Sequence, residues 1–260
     1  MRRLLSDNGC PWDRAQSHAS LRRYALEEAC EVVDAIDRND PNALREELGD
    51  LLFQVMFHAE LGRKQGSFGL DDIIGGICDK LERRHPHVFS NAGPRDESEI
   101  KAAWDRIKAE EKPERTGLLD GIPTSLPALA RAQRVGEKVE KVGFDWPDTA
   151  GSRAKVTEEV AELDDAVAAA DQNDIEEEFG DVLFSLVNLA RHLNVDAELA
   201  LRRTTNKFMQ RFAHVEARAK EQPGGLPTAQ PDGTGTLPLA VLDAWWNEAK
   251  ALEKARRATR

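Results

Sequence analysis

Apolar residues recur at helical spacing along most of the 260-residue chain, and the alternating β-branched runs that announce strands are missing. The expected fold is all-α. "SLRRYALEEACEVVDAIDRND" is amphipathic and ends at "NDPNAL", where Pro41 can open the next helix, so a helical hairpin is predicted. The second helix runs to about Gly62 and contains "EELGDLLFQVMF", starting at Glu46. From Leu51 to Phe57 only Gln54 is polar, and at 100° per residue the apolar side chains go almost all the way round, which predicts a buried core helix. Gly49 within it predicts close approach of a neighbour, because glycine in a helix costs about 1 kcal/mol relative to alanine. "GSFGLDD" breaks this helix and "DDIIGGICDKLERRHPHVF" starts a third.

Residues 91–126 are charged, carry Pro94, Pro113 and Pro123, and include one short helical stretch, "AAWDRIKAEE". "ALARAQRVGEKVEKVGFDWPD" then leads into a second hairpin, in which "EEFGDVLFSLVN" from Glu177 repeats the earlier oddity with Gly180 before Asp181. "AELALRRTTNKFMQRFAHVEARA" follows. "QPGGLPTAQPDGTGTLP" reads as a flexible loop and "LAVLDAWWNEAKALEKARR" as the closing helix.

The repetition is specific. Glu28, Glu31, Glu47 and Asp50 form ExxE, a step of 16 and ExxD; Glu159, Glu162, Glu178 and Asp181 reproduce all three spacings. Each half then places Lys and Arg four apart, Lys80/Arg84 and Lys207/Arg211, with His87 or His214 three further on. Each ends with Trp and Lys four apart, Trp104/Lys108 and Trp246/Lys250, and each hairpin is preceded by a tryptophan, Trp12 or Trp146. Two copies of one helical module explain the pattern. The expected organisation is an N-terminal module over 1–110, a helical connector over 111–135 and a C-terminal module over 136–260.

Composition narrows the partners. No run of about 18 uncharged apolar residues exists and the N-terminal apolar segment is too short for a secretory signal, so a soluble cytoplasmic protein is expected. Cys10, Cys30 and Cys78 are odd in number and lack zinc or disulfide spacing. A formal charge of −11 argues against nonspecific nucleic-acid or anionic-membrane binding, so an anionic ligand must be met by local cations or a metal.

Residues three apart share a helix face, so each carboxylate pair makes a two-oxygen jaw, and an antiparallel hairpin can bring two jaws together. Four carboxylates in one small volume repel unless a cation sits among them or some are protonated. A hard divalent ion fits best: Mg²⁺ takes oxygen ligands in octahedral geometry and keeps waters that phosphates can replace, whereas zinc would want Cys or His. A lone EExxE is usually a solvated helix face. Here Glu47 and Asp50 stand at the entrance of an apolar helix, with Gln54 one turn on, and Glu178, Asp181 and Ser185 take the matching places. Buried ionised carboxylates are expensive unless paired or metal-bound.

Lys80/Arg84 and Lys207/Arg211 each lie on one helix face and could hold phosphate oxygens, Arg being suited to bidentate contact. A metal with such cations implies a polyphosphate. Trp104 and Trp246 could stack on a base or fill a core. His87 and His214 read as structural, since no partner cluster supports a metal site in "RRHPH".

These residues resemble the MazG family of the all-α NTP pyrophosphatase superfamily over nearly the full length, through "GCPWD", "EEACE", "EELGDLLFQV", "DKLERRHPHVF", "LLDGIP", "KVGFDW", "EEVAE", "EEFGDVLFSLVNLARHL" and "NKFMQRF" in order. The resemblance implies two tandem helical modules, a homodimer, dependence on Mg²⁺ with Mn²⁺ able to substitute, and hydrolysis of nucleoside triphosphates to monophosphate and pyrophosphate. It implies broad base tolerance, with removal of aberrant nucleotides, and a catalytic C-terminal domain. Carried over, Glu159, Glu162, Glu178 and Asp181 are metal ligands, Lys207 and Arg211 phosphate contacts, and Trp246 and Lys250 nucleotide contacts. Glu28, Glu31, Glu47 and Asp50, with Lys80, Arg84, Trp104 and Lys108, match them in the N-terminal copy.

The mechanism expected is metal-assisted hydrolysis at the α-phosphorus, with Glu158 or Glu159 taking a proton from water or orienting it, Glu178 completing the catalytic carboxylates, and Lys207 and Arg211 offsetting charge. A di-iron carboxylate bundle wants Glu-x-x-His twice, whereas here Glu or Asp follows three after Glu. A helical regulatory module that binds Mg²⁺-NTP without turnover would keep the same ligands, and pyrophosphate release separates it from the enzyme.

Overall fold

A computed structural model describes residues 1–89, 96, 99–100, 103–104, 106–107, 111, 117–222 and 237–258. The chain divides into two compact units, Met1–Glu114 and Arg115–Arg260, and no strand occurs among the described residues. Unit one holds α1 (Pro11–Arg14), α2 (His18–Arg38), α3 (Pro41–Lys64), α4 (Leu70–Arg84) and α5 (Pro86–Phe89). Unit two holds α6 (Ala128–Glu140), α7 (Thr149–Ala169), α8 (Gln172–His192), α9 (Ala197–Lys220) and α10 (Leu239–Ala258). The fold class is all-α as expected. No described helix is long and apolar enough to cross a membrane.

The hairpin α2/α3 dominates the packing of unit one, and α7/α8 that of unit two, where α10 lies along α9 and α6 along α8. Each hairpin turns on two residues. In the first, Asn39 is left-handed at φ 52°, and the Asp40 side chain caps α3 by accepting from the N–H groups of Asn42 at 3.0 Å and Ala43 at 3.1 Å. In the second, Ala170 is left-handed at φ 57°, and Asp171 accepts from Asn173 at 2.9 Å and Asp174 at 3.4 Å. Such caps contribute about 1 kcal/mol each, and the left-handed residue stops one helix so that the next starts two residues later, directly after its capping aspartate. The turn and both carboxylate pairs repeat at one spacing, so both hairpins share a register.

The cores are small. Leu5, Leu21, Phe57 and Leu61 form one, with Met1 and Tyr24 against it; Val215, Ala219 and Trp245 form the other, joined by Val241, Leu242 and Trp246.

One expectation is corrected here. The apolar run of α3 is not buried all round: Leu48, Leu52, Val55 and Met56 are exposed, Leu52 at 55%, whereas polar Gln54 is only 7% exposed. In α8, Phe179, Leu183, Phe184 and Leu186 are likewise exposed, Leu183 at 41%, and Ser185 is 6% exposed. α3 and α8 turn Gln54 and Ser185 inward against the partner helix, while of the carboxylates on that side Glu47 and Glu178 are half-buried and Asp50 and Asp181 are exposed at the rim; too few helices surround the hairpin within its unit to cover the rest. Gly49 and Gly180 are corrected with it, since a Cβ on either meets nothing within 4 Å. The loop expected at "QPGGLPTAQPDGTGTLP" falls largely on 223–236, outside the described residues, as does Lys108.

Ala170 is a non-glycine residue in the left-handed region, at a cost of about 1–2 kcal/mol. Ala170→Gly is therefore expected to stabilise unit two by about 1 kcal/mol, read as a rise in its urea midpoint, while Asp171→Ala lowers it by a similar amount. A lower midpoint for Ala170→Gly would contradict this reading of the turn.

Candidate active site

The hairpin register brings the carboxylates together. Glu28 projects from α2 and Glu47 and Asp50 from α3, and one oxygen of each lies within 4.8 Å of the others. Glu159 from α7 with Glu178 and Asp181 from α8 forms the same triad in unit two. The fourth carboxylate of each set lies at its edge: Glu31 stands close enough to Glu28, and Glu162 to Glu159, for the pair to share a hydrogen bond when one of them is protonated. Two carboxyl groups can hydrogen-bond only through a proton, a role a cation can take instead.

The electrostatics register the crowding. Burial raises Glu28 above the usual carboxylate range, with Asp50 and Glu31 adding repulsion; burial raises Glu47, with Glu31, Glu46 and Asp50 adding to it. In unit two the hydrogen bond to Glu159 and then burial raise Glu162, while burial, Asp181 and Glu159 raise Glu178. Gln54 Nε2 reaches Glu28 Oε1 at 3.5 Å, and its buried amide oxygen has no hydrogen-bond partner among the described residues.

This donor set fits a hard divalent ion. In an octahedron with bonds of about 2.1 Å, adjacent oxygens lie about 3.0 Å apart and opposite ones about 4.2 Å. A triad within 4.8 Å closes onto such an ion with small side-chain movements. All ligands offered are oxygens, and the unpartnered Gln54 oxygen adds an acceptor for a bound water.

Besides Gln54 against Ser185, the units differ at the position one turn before the first ligand. Lys155 Nζ lies 2.7 Å from Glu159 Oε1 and 2.8 Å from Glu158 Oε1, and these contacts hold its ammonium charged well above the ordinary lysine range. Unit one has Tyr24 there, with the Arg23 guanidinium 4.4 Å over its ring. Lys155 stands one turn before Glu159, a spacing visible in the sequence but not singled out.

The cationic residues gather elsewhere. Arg211 and Lys250 line a 320 Å³ cavity with Ala251, Glu253 and Lys254, and none of the triad carboxylates lines it. Arg211 sits 5.6 Å from the Trp246 ring, which packs on Phe208 at 4.7 Å, and Lys207 is half-buried one turn before Arg211 on α9. In unit one Lys80 is exposed, and Trp104 is half-buried with its indole N–H donating to the Arg84 carbonyl at 2.7 Å. His214 lies 3.4 Å from Glu248, in keeping with a structural role.

Two carboxylates escaped the sequence reading. Arg211 donates from Nε and Nη2 to Glu253 Oε2 at 2.9 and 2.7 Å, and Arg84 donates from the same two nitrogens to Glu111, which Arg83 also contacts. Arg84 and then Arg83 hold the Glu111 carboxyl down at about 2. Glu111 stands seven residues after Trp104 and Glu253 seven after Trp246, so W-x₃-K-x₂-E was the available signal.

The MazG nucleotide pyrophosphohydrolase domain pattern matches residues 16–89 and 150–216, one match in each unit. A nucleoside triphosphate pyrophosphohydrolase of Escherichia coli K12 is 48% identical over 262 residues, covering 97% of this chain and 95% of that protein. A nucleoside triphosphate pyrophosphohydrolase/pyrophosphatase MazG of Thermotoga maritima is 43% identical over 251 residues, covering 96% and 92%. An uncharacterised protein of Bacillus subtilis, YabN, is 43% identical over 256 residues, which cover 98% of this chain and 51% of that protein.

If the triads are cation sites, Mg²⁺ added to protein stripped with a chelator raises its thermal midpoint, by about 2.7 kcal/mol of stability at 100 times the dissociation constant. Glu47→Gln and Glu178→Gln each remove part of the shift. An unchanged midpoint at saturating Mg²⁺ would contradict the assignment.

Proposed function

The chain belongs to the MazG nucleotide pyrophosphohydrolase family, and on that premise we propose that it hydrolyses nucleoside triphosphates at the α-phosphorus, giving nucleoside monophosphate and pyrophosphate, with Mg²⁺ held by the hairpin carboxylates. The observation that carries this reading is the all-oxygen triad recurring at one register in both units. The residues that would hold the ion are Glu159, Glu162, Glu178 and Asp181 in unit two, and Glu28, Glu31, Glu47 and Asp50 in unit one. Bound there, Mg²⁺ or Mn²⁺ would polarise phosphate oxygens and lower the pKa of a neighbouring water.

The chain's own groups do the rest. Water oxygen bonds to the α-phosphorus, and the bridging oxygen leaves with the β-phosphate carrying the electron pair. Glu158 stands beside Glu159 without a ligand role, half-exposed and 2.8 Å from Lys155, so its carboxylate is available to orient the water and take its proton. Arg211, Lys207 and Lys250 stand apart from the triad, and a triphosphate reaching from the carboxylates to them would bring its departing pyrophosphate to their charge, in the positioning-plus-electrostatics manner of phosphoryl chemistry. Trp246 offers a π-face, which accepts any base, and none of the groups named reads a base edge. Broad base tolerance, and with it removal of aberrant nucleotides, follows from that set.

A homodimer belongs to the same proposal. Leu48, Leu52, Phe53 and Val55 on α3 correspond to Phe179, Leu183, Phe184 and Leu186 on α8, and all eight are exposed. An apolar face repeated in this way marks an interaction surface, and a second copy of the chain is the occupant that brings an equivalent face. Gly49 and Gly180 lie on it, so a partner helix can approach closely there.

Purified protein with Mg²⁺ is expected to make monophosphate and pyrophosphate in equal amounts, and Glu178→Ala to lower the rate by about 100-fold or more, the scale of losing one group that stabilises transition-state charge. Comparison with Glu47→Ala assigns turnover to one unit or to both. Diphosphate with orthophosphate as products, or nucleotide binding without turnover, would sink the reading. Leu52→Glu with Leu183→Glu is expected to halve the mass seen in sedimentation equilibrium; a wild-type monomer at micromolar concentration would refute the dimer.

A further inference from the structure

An arginine–glutamate pair recurs at the matched positions of both units, Arg211–Glu253 and Arg84–Glu111, bound through one carboxylate oxygen in the first and through both in the second, where Arg83 joins it. In unit two the geometry is specific. Both the Nε and Nη2 hydrogens of Arg211 go to the single oxygen Oε2 of Glu253, at 2.9 and 2.7 Å, while its Nη1 makes no hydrogen bond among the described residues. The pair is largely sheltered, with side-chain exposures of 21% and 27%. Arg211 and Glu253 line the same cavity as Lys250 and Lys254, so three cations face one carboxylate there and the cavity keeps a net positive charge.

We infer that Glu253 is a positioning residue for Arg211: it holds the Nε–Nη2 edge of the guanidinium and turns the Nη1 edge toward the phosphates of a bound nucleoside triphosphate. Glu111 does the same for Arg84 in unit one. An arginine side chain has many rotamers, and a carboxylate on one edge fixes the plane of the fork before the ligand arrives, so less freedom is lost on binding. The neighbouring tryptophan supports the same pose, its ring lying 5.6 Å from the Arg211 guanidinium carbon. In unit one a different anchor acts, because the Trp104 indole donates to the Arg84 backbone carbonyl. The surplus of cations explains why the acid does not repel the triphosphate: its charge is already matched by Arg211, and Lys250 and Lys254 remain.

This inference rests on the proposed role of Arg211 as a phosphate contact. The test is calorimetric binding of α,β-methylene-ATP with Mg²⁺ to the full chain carrying Arg84→Ala, so that the unit-two arginine alone is read. Glu253→Ala is expected to weaken binding about tenfold, the scale of one charged hydrogen bond, and Glu253→Gln to restore it to within about threefold because the amide oxygen still accepts. With Arg211→Ala also present, Glu253→Ala is expected to change nothing further, and circular dichroism to match in all variants. Binding as tight as or tighter than the parent in Glu253→Ala would overturn the inference, as would a loss of equal size without Arg211. Should the unaltered chain instead turn ATP into diphosphate and orthophosphate while this pattern holds, the reaction assignment fails and the positioning role stands.

Discussion

The structure depends on the mutual repulsion of carboxylates that the hairpins force together. Each hairpin turns on a left-handed residue followed by an aspartate that caps the next helix, Asn39–Asp40 and Ala170–Asp171. That turn leaves no slack, so ExxE on one helix must face ExxD on the other. The result is three carboxylates within 4.8 Å, with Glu28, Glu47, Glu162 and Glu178 all pushed above their ordinary range. A cation among them would relieve the repulsion, and an all-oxygen set of this size suits a small, hard, doubly charged ion.

The two units solve this problem differently. In unit two Lys155 brings a positive charge onto Glu158 and Glu159; in unit one Tyr24 brings none. An ammonium on Glu159 offsets part of the repulsion locally. It also places a cation beside the carboxylate proposed to receive the water's proton. The two sites are thus not electrostatically equal although their triads match, and one source of the difference is the residue one helical turn before the first ligand.

Much of the carboxylate geometry was legible in the sequence, because residues three apart share a helix face whatever the tertiary context, and a short turn forces antiparallel pairing. The burial of the helices was not. The run from Leu51 to Phe57 looks apolar all round, yet its polar member Gln54 is among the most buried and Leu52 among the most exposed. Periodicity reports which faces want covering; it does not say whether the cover comes from the same chain. Gly49 failed as a sign of close packing for the same reason. The Glu253 and Glu111 partners of the arginines were legible in principle, from their constant distance to Trp246 and Trp104, but acids on exposed helices carry little signal until the guanidinium is seen against them.

The central claim is that each hairpin exists to place a divalent cation among its carboxylates. Anomalous diffraction at the manganese edge from crystals grown with Mn²⁺ tests it most directly. The account predicts a peak bonded to Glu159, Glu178 and Asp181 in unit two and another bonded to Glu28, Glu47 and Asp50 in unit one, at about 2.1–2.2 Å from their oxygens. Peaks confined to other surface carboxylates, with both triads empty at saturating Mn²⁺, would contradict it.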